Sequence, residues 1–272
     1  MSKFALVGLG FISQRHIDAI HEVGGELTCA CDIDPNREQK VAGTPFFTSF
    51  QSMMDSVEFE NVDFVSIATP NYLHYPMIVE CLNAGKKVIC EKPLTLNSED
   101  ALRFEKDVFP VLQLRYHPEV QEFVVPTTSK DATLVARVMR EPWFWNCWKG
   151  NPLTAGCPAY HIIGVHYLDF LIDKFGGSYE VVMSWNTNKE ARGVIQFPTT
   201  RVMYDFRIMP TTEGQDRYFE MDGQKLRFSN KDNLSLEDLH YYVYHDALRG
   251  EGISPKEAAQ SLKLIETLLH YA

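Results

Sequence analysis

The strongest constraint on this chain lies in its first dozen residues. Phe4-Ala5-Leu6-Val7 is an apolar run, followed by Gly8-Leu9-Gly10 and then by Phe11-Ile12-Ser13 at the head of a segment with helical spacing. A buried strand that turns through glycines into a helix has the local shape of a phosphate cradle. The first glycine permits the turn and the second lets the backbone approach a pyrophosphate, while the helix N-terminus offers free N–H groups and a partial positive charge. Ser13 stands where a third glycine is usual, and it is small enough for close helix–strand packing. Two glycines alone are a weak signal, so the weight falls on the residues downstream of them. Residues 26–31 read as a second strand that ends at Asp32. An acid at that distance accepts hydrogen bonds from the adenosine ribose of NAD and repels the extra phosphate of NADP. The bland alternative is that Asp32 caps the turn at Asp34-Pro35. Asp34, Asn36 and Arg37 leave some room for NADP, because an arginine there can hold its phosphate. Strand, glycine turn, helix and acid in sequence favour NAD.

Residues 1–113 continue to alternate strand and helix. Strands are expected at 3–8, 26–31, 45–47, 62–68, 87–90 and 111–114, with helices at 11–23, after Ser49, at 73–84 and after Ser98. Residues 62–68 are almost wholly apolar, as in a parallel strand covered on both faces. This order predicts an α/β fold, a doubly wound Rossmann sheet over residues 1–115. Beyond Tyr116 the grammar changes. Longer alternating strands are expected at 133–139, 179–185, 193–197, 201–208, 217–221 and 225–228, with a hairpin turn at Asp222-Gly223. A helix over 161–175 interrupts them, and helices over 236–248 and 255–271 close the chain. Residues 116–272 are therefore expected to form an α+β substrate-binding and oligomerisation domain with a mostly antiparallel open sheet. Tyr204, Phe206 and Ile208 alternate with Met203 and Asp205, so one face of that sheet is available to pair subunits, as a homo-dimer or homo-tetramer.

Composition removes several function classes. The formal net charge of -10 and the lack of a basic run argue against nucleic acid as a partner. No apolar stretch is long enough to span a membrane, and a strand that begins near Met1 leaves no room for a signal peptide. The six cysteines lack metal-finger spacing and read as reduced thiols of a cytoplasmic protein, with no metal site expected.

In a doubly wound sheet, ligands gather at the carboxyl ends of the strands. Two loops fall there: Ala68-Thr69-Pro70-Asn71-Tyr72-Leu73-His74, and Glu91-Lys92-Pro93-Leu94. Lys92 would emerge at the cofactor crevice, able to hydrogen-bond a substrate hydroxyl and stabilise a developing alkoxide. A plain surface lysine is the alternative reading, and a lone histidine such as His166 is more often a satisfied core group. Trp143, Trp145 and Trp148 beside Lys149 suit either a pocket wall or an aromatic core.

Together with Gly164-Val165-His166-Tyr167-Leu168-Asp169, these motifs make the chain resemble the glucose–fructose oxidoreductase/inositol dehydrogenase family. Within that family, Val111-Leu112-Gln113-Leu114-Arg115-Tyr116-His117 and Trp148-Lys149-Gly150-Asn151-Pro152 are similar to the UDP-N-acetylglucosaminuronate 3-dehydrogenases, which oxidise the sugar 3-hydroxyl on the way to surface polysaccharides. The resemblance implies an NAD-dependent sugar or nucleotide-sugar dehydrogenase with Lys92 and His166 catalytic. It implies cofactor contacts from Gly8, Gly10, Phe11, Ile12, Asp32, Thr69, Pro70, Asn71, His74, Glu91 and Lys92. Arg115, Lys149, Trp148 and Asp169 would meet the substrate. One departure stands out: Ile162, four residues before His166, occupies a position where the family carries a polar residue, and Cys157 and Pro158 replace glycines. Another sugar or polyol substrate, or a cofactor-binding protein that has lost turnover, would result from that change.

Overall fold

The computed structural model describes residues 1–128, 130–228 and 236–272. Its first sheet contains β1 (Lys3–Val7), β2 (Glu26–Cys31), β3 (Phe46–Phe47), β4 (Phe64–Ile67), β5 (Lys87–Cys90) and β6 (Val108–Pro110), in the order β3-β2-β1-β4-β5-β6. Every pairing is parallel. The helices between them are α1 (Ser13–Glu22), α2 (Phe50–Met54), α3 (Val57–Glu60), α4 (His74–Asn83) and α5 (Ser98–Ala101). The strand order reverses between β1 and β4, which opens a crevice at their carboxyl ends. β4 is buried along its whole length, Ser66 included, as a parallel strand covered on both faces requires.

The last strand is three residues earlier than the apolar run 111–114 suggests. Asp107 turns the chain with φ +61°, and Val108 then pairs with Val88. Pro110 has no N–H to extend the ladder. Val111, Leu112 and Leu114 are still buried, but at the entry to a 3-10 turn over Gln113–Tyr116. The cap of α5 is likewise Asn97, whose side chain accepts the Asp100 N–H, and not Ser98.

The second sheet follows α6 (Pro118–Glu122). It comprises β7 (Lys130–Met139), β8 (Glu180–Asn186), β9 (Glu190–Gln196), β10 (Thr200–Met209), β11 (Asp216–Met221) and β12 (Gln224–Arg227), in the order β12-β11-β7-β10-β9-β8. Its central pair, β7 with β10, is parallel, and the others are antiparallel. The inner face carries Tyr204, Phe206 and Ile208, all buried. Those residues therefore pack the core, and the outer face presents Met203, Val182, Met183 and Trp185 instead, each about half exposed.

Two short helical pieces precede the main helix of this half. α7 (Pro152–Ala155) is followed by a π-helical turn over Pro158–Gly164, which runs directly into α8 (Val165–Phe175). The α-helix expected from residue 161 thus begins at Val165, because the preceding turn is wound in the wider i→i+5 pattern that often marks functional sites. α10 (Pro255–His270) begins with a capping box between Ser254 and Glu257.

The sequence changes grammar near residue 115, yet the two halves interlock in space. α9 (His240–Arg249) returns to the first sheet, where Val243, Tyr244 and Ala247 close a core made with Phe4, Ala19, Ile20, Phe64, Ile89 and Phe109. Among the described residues, no helix is long and apolar enough to cross a membrane.

Candidate active site

The glycine turn is built for close approach. Gly8 has φ +91°, and a Cβ there would lie 2.6 Å from the carbonyl oxygen of Ala68, so any other residue would push β1 away from β4. Gly10 faces open space, with nothing within 4 Å of where its Cβ would be. The N-cap of α1 is Ile12, which has no side chain able to cap, so the first N–H groups of the helix receive no side-chain cap from it. An open backbone cradle before uncapped donors is what a dinucleotide pyrophosphate fits. Ser13 is buried and donates to the Gly10 carbonyl at 2.9 Å, while Lys40 donates to the same oxygen at 2.6 Å. Lys40 gave no signal in the sequence, because its approach depends on how the chain folds back after β2.

Asp32 stands at the end of β2, and its carboxylate accepts the Leu9 N–H at 2.6 Å and the Asp34 N–H at 2.9 Å. It is both the turn cap and a bridge to the glycine turn.

A cavity of about 530 Å³ opens beside this turn. Gly10, Phe11, Ile12, Thr69, Asn71, Glu91, Lys92, Trp148, Lys149, Ile162 and His166 all line it. Pro70 starts the short turn that presents Asn71, which donates to the Ala155 carbonyl at 3.0 Å. His74 lies beneath the wall instead. Its Nδ1 is 2.8 Å from the Pro93 carbonyl and its Nε2 is 3.0 Å from the Thr69 carbonyl, so the ring sits between the two loops at the crevice and, neutral, donates to one of them. The Lys92–Pro93 bond is cis.

Lys92 is held at the cavity floor with its ammonium 3.3 Å from the Ile162 carbonyl. Burial lowers its affinity for a proton and the Glu91 carboxylate opposes that effect, while Arg140 and Lys149 add repulsion. His166 shares the cavity, and its Nδ1 is buried without a hydrogen-bond partner. Burial, reinforced by the Lys92 charge, holds its imidazole well below the ordinary histidine value, so it is neutral at physiological pH. A buried polar atom with no partner calls for an explanation, and a ligand is one. Ile162 puts an apolar side chain into the same wall.

Arg140 and Arg217 join Lys92 and Lys149, so four cations line the cavity against Glu91 and Glu141. Nothing local in the sequence marks Arg140, just past β7, or Arg217, on β11, as facing a cavity. In a chain of net charge -10, such a concentration selects for anions. The Lys149 ammonium lies 5.3 Å from the Trp143 ring, 5.7 Å from Phe144 and 5.6 Å from Trp148, which holds it by cation–π attraction. Trp145 is outside this wall. It packs edge-on against Phe144 at 5.1 Å and takes Lys189 over its face.

Arg115 and Asp169, expected at the substrate, are placed elsewhere. Their charges engage each other through two bonds of 2.8 Å, and Arg115 also meets Glu257 at 2.9 Å and Asp173 at 3.5 Å. Asp169 is 1% exposed and takes a further bond from Ser261 at 2.6 Å. The group is a latch between the Gln113–Tyr116 turn, α8 and α10. Arg115→Ala strands the buried Asp169 charge, and it should cost about 3–5 kcal/mol of stability. Asp169→Asn should cost less, since Arg115 retains Asp173 and Glu257. Urea unfolding midpoints of the two variants check the order, and equal losses would contradict it.

Residues 2–106 match the family model described as "Oxidoreductase family, NAD-binding Rossmann fold". Among curated proteins, the inositol 2-dehydrogenase of Rhodococcus erythropolis is 35% identical over 107 residues, which are 38% of this chain and 31% of that enzyme. The D-apiose dehydrogenase of Paraburkholderia graminis is 28% identical over 64% of this chain and 50% of its own. The aligned stretch thus spans about a third of the length of the inositol dehydrogenases it matches. A solved structure extends the likeness to the whole chain. The WlbA (WbpB) dehydrogenase from Thermus thermophilus, in complex with NAD and UDP-GlcNAcA, superposes with a TM-score of 0.83 at 30% identity, covering 100% of this chain and 95% of that one. Its complex with NAD and alpha-ketoglutarate gives 0.84, with 96% and 93% covered. With the glycine turn, the Glu-Lys-Pro loop and this full-length likeness in hand, the chain belongs to the GFO/IDH/MocA family of oxidoreductases with an NAD-binding Rossmann fold.

Proposed function

We propose that the protein oxidises a ring hydroxyl of an anionic nucleotide sugar, with C3 of a UDP-N-acetylhexosaminuronate as the substrate, in the making of surface polysaccharide. The observation that carries the reading is the orphaned His166 Nδ1 in a four-cation cavity, beside Lys92 and against the glycine turn. NAD, when bound, supplies the hydride acceptor. Gly8, Gly10, Ile12 and Asp32 would hold it, with Phe11, Thr69, Pro70, Asn71 and Glu91 along the crevice and His74 fixing the loops.

The remaining steps belong to side chains of this chain. His166, kept neutral, takes the hydroxyl proton at a ring nitrogen. Lys92 donates to the same hydroxyl oxygen and stabilises the negative charge that develops there. Lys149 and Trp148, with Arg140 and Arg217, receive the carboxylate and diphosphate, for which guanidinium groups are suited. Residues 1–115 act as the nucleotide half and 116–272 as the substrate half, in a cytoplasmic homo-dimer or homo-tetramer built on the outer face of the second sheet. Static light scattering of the purified protein reads that assembly.

The test is addition of UDP-N-acetylglucosaminuronate and NAD to the purified protein, with the reduced-nicotinamide absorbance as the readout. Turnover with this substrate, and none with UDP-N-acetylglucosamine, which keeps the diphosphate but lacks the sugar carboxylate, supports the proposal. Turnover only with free sugars or inositols transfers the reading to a polyol dehydrogenase. Ile162 favours a third reading, a cofactor-binding protein without catalysis, which NAD binding with no turnover across all these substrates would support.

A further inference from the structure

Beneath the active-site floor lies a chain of buried polar side chains of which the proposed reaction uses only Glu91, at the cavity end. Glu91 follows β5, His16 is on α1, His240 and Tyr244 are one turn apart on α9, and Ser66 is on β4. All are buried, with His16, Ser66 and Tyr244 at 0% exposure. His240 Nε2 lies 3.0 Å from Glu91 Oε1, and His16 Nε2 lies 3.3 Å from the same oxygen at a poorer angle. His16 Nδ1 is 2.7 Å from the Tyr244 hydroxyl, which is 2.6 Å from Ser66 Oγ. Glu91 Oε2 accepts the backbone N–H of Lys92 at 3.2 Å.

One donor order fits this chain. Ser66 donates to Tyr244, Tyr244 donates to His16 Nδ1, and His240 Nε2–H donates to Glu91, while His16 Nε2 faces the same carboxylate oxygen at 3.3 Å outside hydrogen-bond geometry. Burial keeps the His16 imidazole neutral, and Glu91 is an acceptor, hence ionised. The carboxyl is held well below the ordinary glutamate range by these donors, which outweigh its burial. We propose that His240 is a positioning residue, whose ring N–H fixes the Glu91 carboxylate, with His16 packed against the same oxygen, so that Glu91 fixes the backbone presenting Lys92. α9 thereby reaches the catalytic floor from nearly 150 residues along the chain. This rests on the reading of Lys92 as catalytic, but its first test does not need turnover.

The groups facing Glu91 are His16 from α1, His240 and Tyr244 from α9, His74 from α4 and Lys92 from its own loop, with His166 of α8 and Lys149 across the cavity. The same three atoms of His16, Glu91 and His240 lie within 4.8 Å of one another, a spacing a metal ion could also use. The His240–Glu91 hydrogen bond accounts for that pair without one, and the test separates the two.

The experiment compares wild type, His240→Leu and His240→Gln. Gln carries an amide donor near the place of Nε2. The Glu91 carboxyl carbon is followed by NMR in protein labelled at glutamate, with its signal identified by its absence in Glu91→Gln. Wild type should remain ionised below the ordinary glutamate range. His240→Leu should raise the midpoint by about 1–2 pH units, as loss of a donor to a carboxylate does, and His240→Gln should recover most of that shift. In turnover, the acid limb of kcat should move upward in His240→Leu while KM for the sugar changes little. A Glu91 midpoint unmoved in folded His240→Leu overturns the proposal, and so does a stoichiometric metal in the purified wild type. If His240→Leu does not fold, His240→Asn, whose amide is too short to reach Glu91, takes its place with the same expectations. Absence of wild-type turnover counts against the proposed function and leaves the Glu91 titration to decide this one.

Discussion

His166→Ala should lower kcat for sugar oxidation by about 10²–10⁴-fold, the usual contribution of a positioned general base. NAD affinity should be retained, because the cradle around Gly8 and Gly10 lies on the other wall of the cavity. Lys92→Ala should fall into the same range, since it removes the donor that meets charge on the reacting oxygen. The double variant should lose little beyond the worse single one, because the two groups act as a unit on one hydroxyl. The pH profile provides a further check. With His166 held well below its ordinary value, kcat/KM should stay flat down through pH 6.5, and its alkaline limb should fall below the ordinary lysine value because burial lowers Lys92. Single variants that keep full sugar-dependent NAD reduction would remove both residues from the chemistry.

Stability should fall steeply on mild acidification. His16, His161 and His166 are buried, and burial holds each imidazole below the ordinary value of 6.5. The geometry agrees for His161, whose Nδ1 accepts the Cys157 N–H at 3.0 Å and so carries no proton. In the unfolded chain all three take up protons near pH 6.5, while in the folded chain they do not. The unfolded state then binds more protons, so the contribution is complete above that pH and is lost as the pH falls below it toward the folded values. Each group contributes a slope of about 1.36 kcal/mol per pH unit, and the three together about 4. Against a typical domain stability of about 5–15 kcal/mol, one to two pH units are enough to endanger the fold. Urea midpoints should be level from pH 8 to 7 and then decline from 6.5, well before ordinary carboxylates titrate. A midpoint unchanged to pH 5.5 would mean that the folded protein accepts these protons.

The elements that were legible in the sequence were those with a local cause. Gly8 and Gly10 announce the turn because the backbone there admits no side chain on one side and needs open space on the other. Lys92 was legible because it follows a buried strand directly and Pro93 stiffens the loop. Arg115 shows the opposite case. Its charge is plain in the sequence, but whether it meets a substrate or Asp169 depends on a partner fifty-four positions away, which no local pattern records. The same holds for the parallel pairing of β7 with β10, set by partner choice across sixty or more residues, and for His16, which reads as an ordinary helical histidine. Residues 161–164 misled for another reason: their spacing suits an α-helix, whereas they belong to a π-helical turn in which Tyr160 and Ile163 are buried, a winding that local apolar spacing does not record.

The return of α9 to the first sheet sets the order in which the molecule can be finished during synthesis. Val243, Tyr244 and Ala247 cover a face formed by Phe4, Phe64 and Phe109. Until residues 240–249 have left the ribosome, the nascent nucleotide half exposes a continuous oily surface, the kind of surface that holdase chaperones bind. The Glu-Lys-Pro loop also waits for His240. A chain that ends before residue 240 lacks this cover over Phe4, Phe64 and Phe109.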